Sequence, residues 1–146
     1  MIFAVGPLTA LPPMIGDTAT TGARQARKAA RTPGRLSIDP ILSLPGVRKA
    51  LRACRAPVVA VSPIIGGKAV KGPTAKIMAE LGLPVGAVAI ARHYADILDI
   101  YVADEADTHE VGELGIPVRL THTLMRTLED RDALARAVLA AAGRGF

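Results

Sequence analysis

The 146-residue chain has few sulfur and aromatic side chains from which a functional site could be built: one cysteine, no tryptophan, two tyrosines and two phenylalanines. A single cysteine, Cys54, can form neither an intramolecular disulfide nor a thiolate metal site. No uninterrupted apolar stretch is long enough to span a bilayer, and the proline-broken start of the chain lacks the positive charge of a signal peptide. We therefore expect a protein of the reducing cytoplasm with no membrane partner.

The net charge of +5 is concentrated at one end of the chain. Residues 1–35 contain five basic residues and one acidic residue, whereas residues 36–146 contain thirteen and twelve. Nucleic-acid binding by a folded surface needs a basic patch and, for single strands, stacking aromatic rings. A nearly neutral folded part, in a chain that has four aromatic side chains in total, predicts no nucleic-acid partner.

Aliphatic residues dominate what is present, since half of the chain is hydrophobic. Residues 1–35 show no sustained period of 2 or 3.6 and are rich in Gly, Pro, Thr and Arg, which predicts an irregular basic leader. Apolar runs and amphipathic stretches then alternate over residues 36–146. This alternation is typical of the α/β class and predicts a short, parallel, Rossmann-like sheet flanked by helices.

Periodicity and breaker residues give an expected order of elements after residue 36. The helix that starts at Pro73 is expected to point Ile77, Met78 and Leu81 into the core. The apolar stretch Val85–Ile97 is assigned to a helix, although its first half also fits a strand. The expected elements are a helix with Val47, Ala50, Leu51 and Cys54 on one face, a strand Val58–Val61, a helix from Pro73 to Gly82, the helix Val85–Ile97, a strand Ile100–Ala103, a helix Glu105–Leu114, a strand Ile116–Thr121, and a helix capped by Asp130 and ended by Gly143.

A loop rich in glycine and lysine follows the first predicted strand. It reads S-P-I-I-G-G-K-A-V-K-G-P from Ser62 to Pro73 and leads into a helix. Ligands of open α/β sheets bind at the carboxyl ends of strands, where glycine amides, a helix N-terminus and lysines suit a phosphate. The spacing matches neither a Walker loop nor a dinucleotide-binding turn. A solvated loop with ordinary turn glycines explains the pattern equally well.

Three ordered motifs carry a resemblance to a known family. S-I-D-P-I-L-S-L-P-G-V begins at Ser37, V-S-P-I-I-G-G-K-A-V-K-G-P at Val61 and A-R-H-Y-A-D-I-L-D at Ala91. Together with D-E-A-D from Asp104 and T-L-M-R from Thr123, they resemble the 2-phospho-L-lactate transferase family of coenzyme F420 biosynthesis. The resemblance covers residues 36–142.

The resemblance implies a transferase that moves a 2-phospholactyl or phosphoenolpyruvyl group from a guanosine diphosphate-activated donor to a deazaflavin alcohol and releases GMP. Magnesium is the implied cofactor. Donor and acceptor are the implied partners, and a homo-oligomer is compatible with them. The substrate-binding residues expected from loop chemistry and family position are Ser62, Gly66, Gly67, Lys68, Lys71, Gly72 and His93, and no catalytic residue is assigned.

The resemblance also implies that the chain is the C-terminal half of such an enzyme. The Gly-rich nucleotide loop and the metal-binding aspartates with which family members begin are not found before Leu36, and Asp39 stands where the family usually has glycine. We therefore expect a fragment whose magnesium ligands lie elsewhere. The alternative is a non-catalytic partner module that associates through an exposed sheet edge.

Two further groups of residues could carry chemistry. His93, Tyr94 and Asp96 offer an imidazole, a phenol and a carboxylate to the attacking alcohol, but the apolar stripe favours a structural Tyr94. Asp104, Glu105 and Asp107 could bind magnesium through oxygen, yet a position at a helix start favours capping of backbone amides.

Overall fold

A computed structural model describes residues 2–4, 38–70, 72–112 and 114–143. We number its elements in chain order. They are β1 (Ile2–Ala4), α1 (Asp39–Leu42), α2 (Val47–Arg52), β2 (Val58–Val61), β3 (Ile64–Ile65), β4 (Lys68–Ala69), α3 (Thr74–Glu80), α4 (Ala87–His93), β5 (Ile100–Asp104), a 3-10 helix (Glu105–Asp107), α5 (Thr108–Val111), β6 (Val118–Thr121) and α6 (Leu128–Ala141).

The main sheet has the strand order β1-β2-β5-β6. Its β2, β5 and β6 run parallel, with Val59 opposite Ile100 and Tyr101 opposite Val118, while β1 is antiparallel to β2. The expected α/β class with a parallel sheet is therefore confirmed. The irregular leader needs one correction, because Ile2–Ala4 form a strand whose backbone pairs with Val58–Ala60. Residues 5–37 lie outside the described part of the chain.

The two central strands are buried on both faces. Along β2, Val58 and Ala60 join the larger core beneath α1, α3, α4 and α5, whereas Val59 and Val61 point to the opposite face. That second face is covered by α6 through Leu134 and Val138. A strand enclosed in this way must be apolar at every position, which explains the continuous Val58–Val61 run and confirms its assignment.

The stretch Val85–Ile97 is only partly helical, because α4 covers Ala87–His93. Tyr94 and Ile97 are buried in the turns that follow, whereas Val85, which the helical pattern placed on the buried face, is 38% exposed. The inward assignment of Leu81 is also wrong. It follows the end of α3 and is 37% exposed, while Met78 one turn earlier is fully buried.

Other boundaries differ where local capping decides them. The segment predicted as one helix from Glu105 is a 3-10 turn followed by the short α5, and the next strand starts at Val118 rather than Ile116. The last helix begins at Leu128 with Thr127 as its cap, because Asp130 is the third helical residue of a capping box and accepts from the Thr127 amide. No described helix has the length and apolar character of a membrane span.

The Tyr101 hydroxyl links β5 to α4 inside the core. It donates to the carbonyl of Ala87 at 2.9 Å, and both residues are fully buried. Burial raises the pKa of Tyr101 to about 12, so the phenol remains a donor at neutral pH.

We expect Tyr101→Phe to lower the free energy of unfolding by about 1–2 kcal/mol, because the buried Ala87 carbonyl loses its side-chain donor. Urea denaturation at pH 7 measures the change. An unfolding curve that coincides with that of the parent would show that the hydroxyl contributes nothing.

Candidate functional site

The buried polar side chains of the described residues share one location. They are Ser62, Asp104, Asp107 and Thr123, each at most 6% exposed. Ser62 directly follows β2, Asp104 ends β5, and Thr123 comes just after β6. The carboxyl ends of the three parallel strands therefore share one polar layer, at the edge of the sheet where ligands of open α/β folds bind.

Asp104 connects the ends of two strands through this layer. Its Oδ2 accepts hydrogen bonds from the amide of Thr123 at 2.8 Å and from the Thr123 hydroxyl at 3.0 Å. Its Oδ1 accepts from the amide of Ala106 at 3.1 Å, which confirms the capping interpretation for Asp104. Burial alone would raise the pKa of Asp104, but these hydrogen bonds from Thr123 and Ala106 outweigh it and lower the pKa.

The loop from Ser62 to Pro73 contains a β-hairpin that was not among the expected elements. Its strands β3 and β4 pair antiparallel, with Ile65 opposite Lys68. The two residues between them, Gly66 and Gly67, have φ values of 57° and 71°, as a type I′ hairpin turn requires. A Gly-Gly pair between short apolar strands was the signal that could have revealed the hairpin.

Two groups that were predicted to donate hydrogen bonds to a phosphate instead form hydrogen bonds within the protein. The Ser62 Oγ lies 3.1 Å from both the N–H and the carbonyl oxygen of Ile64. The Gly67 amide donates to Asp107 Oδ1 at 3.0 Å, so in this structure it binds a carboxylate and does not face an oxyanion. The second Asp107 oxygen is buried and has no hydrogen-bond partner among the residues that the structure describes.

The remaining predicted loop residues lie further along the segment. Lys68 is exposed on β4, and Gly72 is exposed with a φ of 74° just before Pro73 and α3. Lys71 is outside the described residues. The loop thus has an exposed cation, Lys68, directly after a turn whose Gly67 amide is bound by the carboxylate of Asp107.

A groove of about 690 Å³ runs along α4 next to this hairpin. Its walls are mainly aliphatic, with Glu110 at one end and Arg92 and His93 at the other. Glu110 connects the groove to the hairpin, because its carboxylate lies 3.9 Å from where a Cβ on Gly67 would be and 3.2 Å from the corresponding point on Gly86. The lining residues are Leu83, Pro84, Val85, Gly86, Val88, Ala89, Arg92, His93 and Glu110.

His93 is held in place by Asp39. Its Nε2 lies 3.0 Å and 2.9 Å from the two carboxylate oxygens of Asp39, and its ring contacts Tyr94 edge-on at 4.6 Å between centroids. His93 also lines a second cavity of about 290 Å³, which contains Asp39 and Arg48. The structure therefore separates His93 from the loop residues with which it was grouped, by roughly the 10 Å length of α4.

Tyr94 and Asp96 do not join His93 at one reactive point. Tyr94 is 3% exposed, which confirms its structural assignment, and burial followed by the nearby Asp39 raises its pKa. Asp96 accepts hydrogen bonds from Arg48, both at 2.8 Å, and from Arg52. Burial acts to raise the pKa of Asp96, but the two guanidinium groups lower it overall.

The described part of the chain does not contain a set of ligands suited to magnesium. No group of three or more His, Cys, Asp or Glu side chains there could hold a metal ion. Asp104 accepts hydrogen bonds from the amides of Ala106 and Thr123, and Asp107 accepts one from the amide of Gly67 through Oδ1. These residues do not fit a magnesium centre by themselves.

Comparison with known proteins gives a consistent match. The sequence model of the family described as 2-phospho-L-lactate transferase CofD matches residues 32–124. The 2-phospho-L-lactate transferase of Methanocaldococcus jannaschii is 41% identical over 103 residues, which cover 70% of this chain and 32% of the relative. That of Methanosarcina mazei is 43% identical over 108 residues, 72% of this chain and 35% of the relative.

A further relative carries a different name. The phosphoenolpyruvate transferase of Kitasatospora aureofaciens is 41% identical over 111 residues, 73% of this chain and 35% of the relative. The chain therefore matches about a third of the length of these curated relatives.

We expect Asp104→Asn to lower the free energy of unfolding at pH 7 by about 2 kcal/mol, since charge-assisted hydrogen bonds to a buried carboxylate are weakened. Because the folded-state pKa lies below the unfolded value, this stabilisation is present above about pH 4 and is lost as the pH falls through the folded pKa. Urea titrations at pH 7 and pH 3 should therefore show a smaller difference at pH 3. Asp132→Asn, at an exposed position of α6, is the control; a pH-independent difference for Asp104→Asn would contradict the assignment.

Proposed function

The chain belongs to the 2-phospho-L-lactate transferase family, and on this basis we propose that it forms part of an enzyme that transfers a 2-phospholactyl or phosphoenolpyruvyl group. The proposed donor is activated by guanosine diphosphate, the acceptor is a deazaflavin alcohol, and GMP leaves. The 2-phospho-L-lactate transferase and the phosphoenolpyruvate transferase among the relatives correspond to these two transferred groups.

The observation that carries the proposal is the position of the family-specific loop. Ser62–Gly72 leaves the carboxyl end of β2, and its hairpin adjoins a groove of ligand size along α4. Phosphoryl transfer needs little covalent participation by side chains, because positioning and electrostatic stabilisation supply most of the rate acceleration. An exposed lysine beside a shaped groove provides both.

The geometry favours a donor site on the outer side of the hairpin. The Gly67 amide is bonded to Asp107, and Glu110 adds a second carboxylate on the inner side of the turn. A diphosphate is repelled from these carboxylates and attracted by cations. We therefore propose that Lys68 and the Gly72 amide contact the diphosphate, with Lys71 as a further predicted contact.

Because the chain covers about a third of its relatives' length, the proposed donor site is tested by binding and not by turnover. We expect GDP to bind the folded chain in a buffer that contains magnesium, as measured by isothermal titration calorimetry. Lys68→Ala should weaken binding about tenfold through loss of an ammonium–phosphate contact.

The matched control is Lys76→Ala, which removes an exposed lysine of α3 that lies 4.0 Å from Glu80. It should leave the GDP affinity unchanged. Absence of heat with a cooperatively folded sample would overturn the proposal for this chain, and so would an equal loss of affinity in both lysine variants.

A second candidate function is a partner module, and it rests on the position of β6. This strand is outermost among the described strands of the main sheet, where its free edge can pair with another chain. We expect a concentration-dependent dimer in sedimentation velocity, and Val118→Pro on β6 should lower the dimer fraction by removing an amide from that strand. A monomer at all concentrations would rule out self-association through this edge.

A further inference from the structure

The turn of the β3–β4 hairpin lies against the 3-10 helix that follows β5. The Gly67 amide donates to Asp107 Oδ1 at 3.0 Å, and a Cβ added to Gly66 would lie 4.0 Å from the Cβ of Ala106. The Asp107 side chain thus joins two segments that are 40 residues apart in the sequence. It is a polar link between the hairpin turn and the end of β5.

Lys68 lies between two anchored parts of the hairpin. It is the residue after Gly67 and the first residue of β4. At the base of the hairpin, the Val70 amide donates to the Pro63 carbonyl at 3.0 Å. The turn on the other side of Lys68 is held by Asp107. Loss of the Asp107 carboxylate would therefore release the backbone of Lys68 on its turn side.

Helix capping does not explain Asp107. It occupies the N-cap position of α5, where an Asp side chain commonly accepts a hydrogen bond from an amide of the first helical turn, but it makes no such bond. Asp104, the N-cap of the preceding 3-10 helix, does accept from the Ala106 amide. The Asp107 carboxylate reaches the hairpin turn instead.

Fold stability does not explain Asp107 either. Its side chain is among the most buried polar groups of the described residues, at 2% exposure, and Oδ2 has no hydrogen-bond partner among them. A buried polar atom without a partner weakens a fold, and departures of this kind are typical of functional positions. The contact with Gly67 is the one interaction described for this carboxylate that can account for its position.

We propose that Asp107 is a positioning residue, which fixes the hairpin turn and thereby sets the place of the Lys68 ammonium group at the phosphates of the donor. This inference rests on the proposed function and adds to it a residue that does not itself touch the ligand. Lysine has a long, flexible side chain, so a fixed backbone limits the entropy that is lost when its ammonium group is held by a phosphate. Asp107 therefore acts on affinity through Lys68.

The test measures the GDP affinity of the full chain by calorimetry in a buffer that contains magnesium. Asp107→Ala removes the acceptor of the Gly67 amide and should weaken GDP binding about fivefold. In the Lys68→Ala background the same substitution should change the affinity less than about twofold, because the side chain through which Asp107 acts is already gone. A fivefold loss in both backgrounds would overturn the action through Lys68.

Asp107→Asn separates the contact from the charge. The Asn side-chain oxygen can still accept from the Gly67 amide, while the repulsion between a carboxylate and the diphosphate is removed. This variant should bind GDP at least as tightly as the parent protein. The proposal would be wrong if Asp107→Ala bound GDP as tightly as Asp107→Asn.

The matched control is Asp99→Ala. Asp99 also accepts an amide hydrogen bond between distant segments, from Val58 at 2.7 Å. Because Asp99 directly precedes β5 and Val58 begins β2, this bond lies at the opposite edge of the sheet from the hairpin. Asp99→Ala should change the GDP affinity less than about twofold. Equal losses in Asp99→Ala and Asp107→Ala would indicate a general loosening of the fold and would overturn the positioning role.

Amide hydrogen exchange, followed by NMR without GDP, separates this inference from the proposed function. Asp107→Ala should speed exchange of the Gly67 amide at least about tenfold, and Asp99→Ala should leave it unchanged. Unchanged Gly67 exchange in Asp107→Ala would overturn the positioning role and leave the donor site in place. Faster Gly67 exchange in this variant of a chain that binds no GDP would refute the proposed function and still support Asp107 as the residue that positions the hairpin.

Discussion

Parallel pairing of β2 with β5, enclosed by helices on both faces, is the constraint on which the other features depend. Because Val59 lies opposite Ile100, both strands end at the same edge of the sheet. Ser62 and Asp104 therefore lie together in the polar layer at that edge. Enclosure on both faces makes register errors costly, because a slip by one residue exchanges the side chains of the two cores. The register of the sheet therefore determines the positions of the side chains in the candidate site.

Regular apolar patterns predicted the sheet, whereas contacts distant in the sequence set the details of the site. The Val58–Val61 and Ile100–Ala103 runs were identified because a strand buried on both faces must be apolar throughout. Single-sequence patterns could not show that Asp107 reaches the Gly67 amide across 40 residues, or that His93 meets Asp39 across 54. The helix Val85–Ile97 was extended too far because buried turn residues repeat its apolar period.

The position of the Ser62–Gly72 loop after the first buried strand was predicted from the sequence, whereas the role of its glycines was not. Glycine and lysine at Ser62–Gly72 suggest a ring of amides around a phosphate. In the fold, Gly66 and Gly67 are needed for their positive φ values, and the Gly67 amide serves to hold the hairpin against Asp107. The Lys68 side chain remains exposed, so its charge outweighs backbone donors in the proposed recognition of the donor.

Gly86 lies where the groove along α4 approaches the hairpin, and its lack of a side chain leaves space there. It has a β-region backbone with φ −177°, which any residue can adopt, so conformation alone does not require glycine there. A Cβ at this position would approach the Glu110 carboxylate to 3.2 Å. Replacement by alanine would thus displace the Glu110 carboxylate, so the space between the hairpin and the groove depends on one missing methyl group.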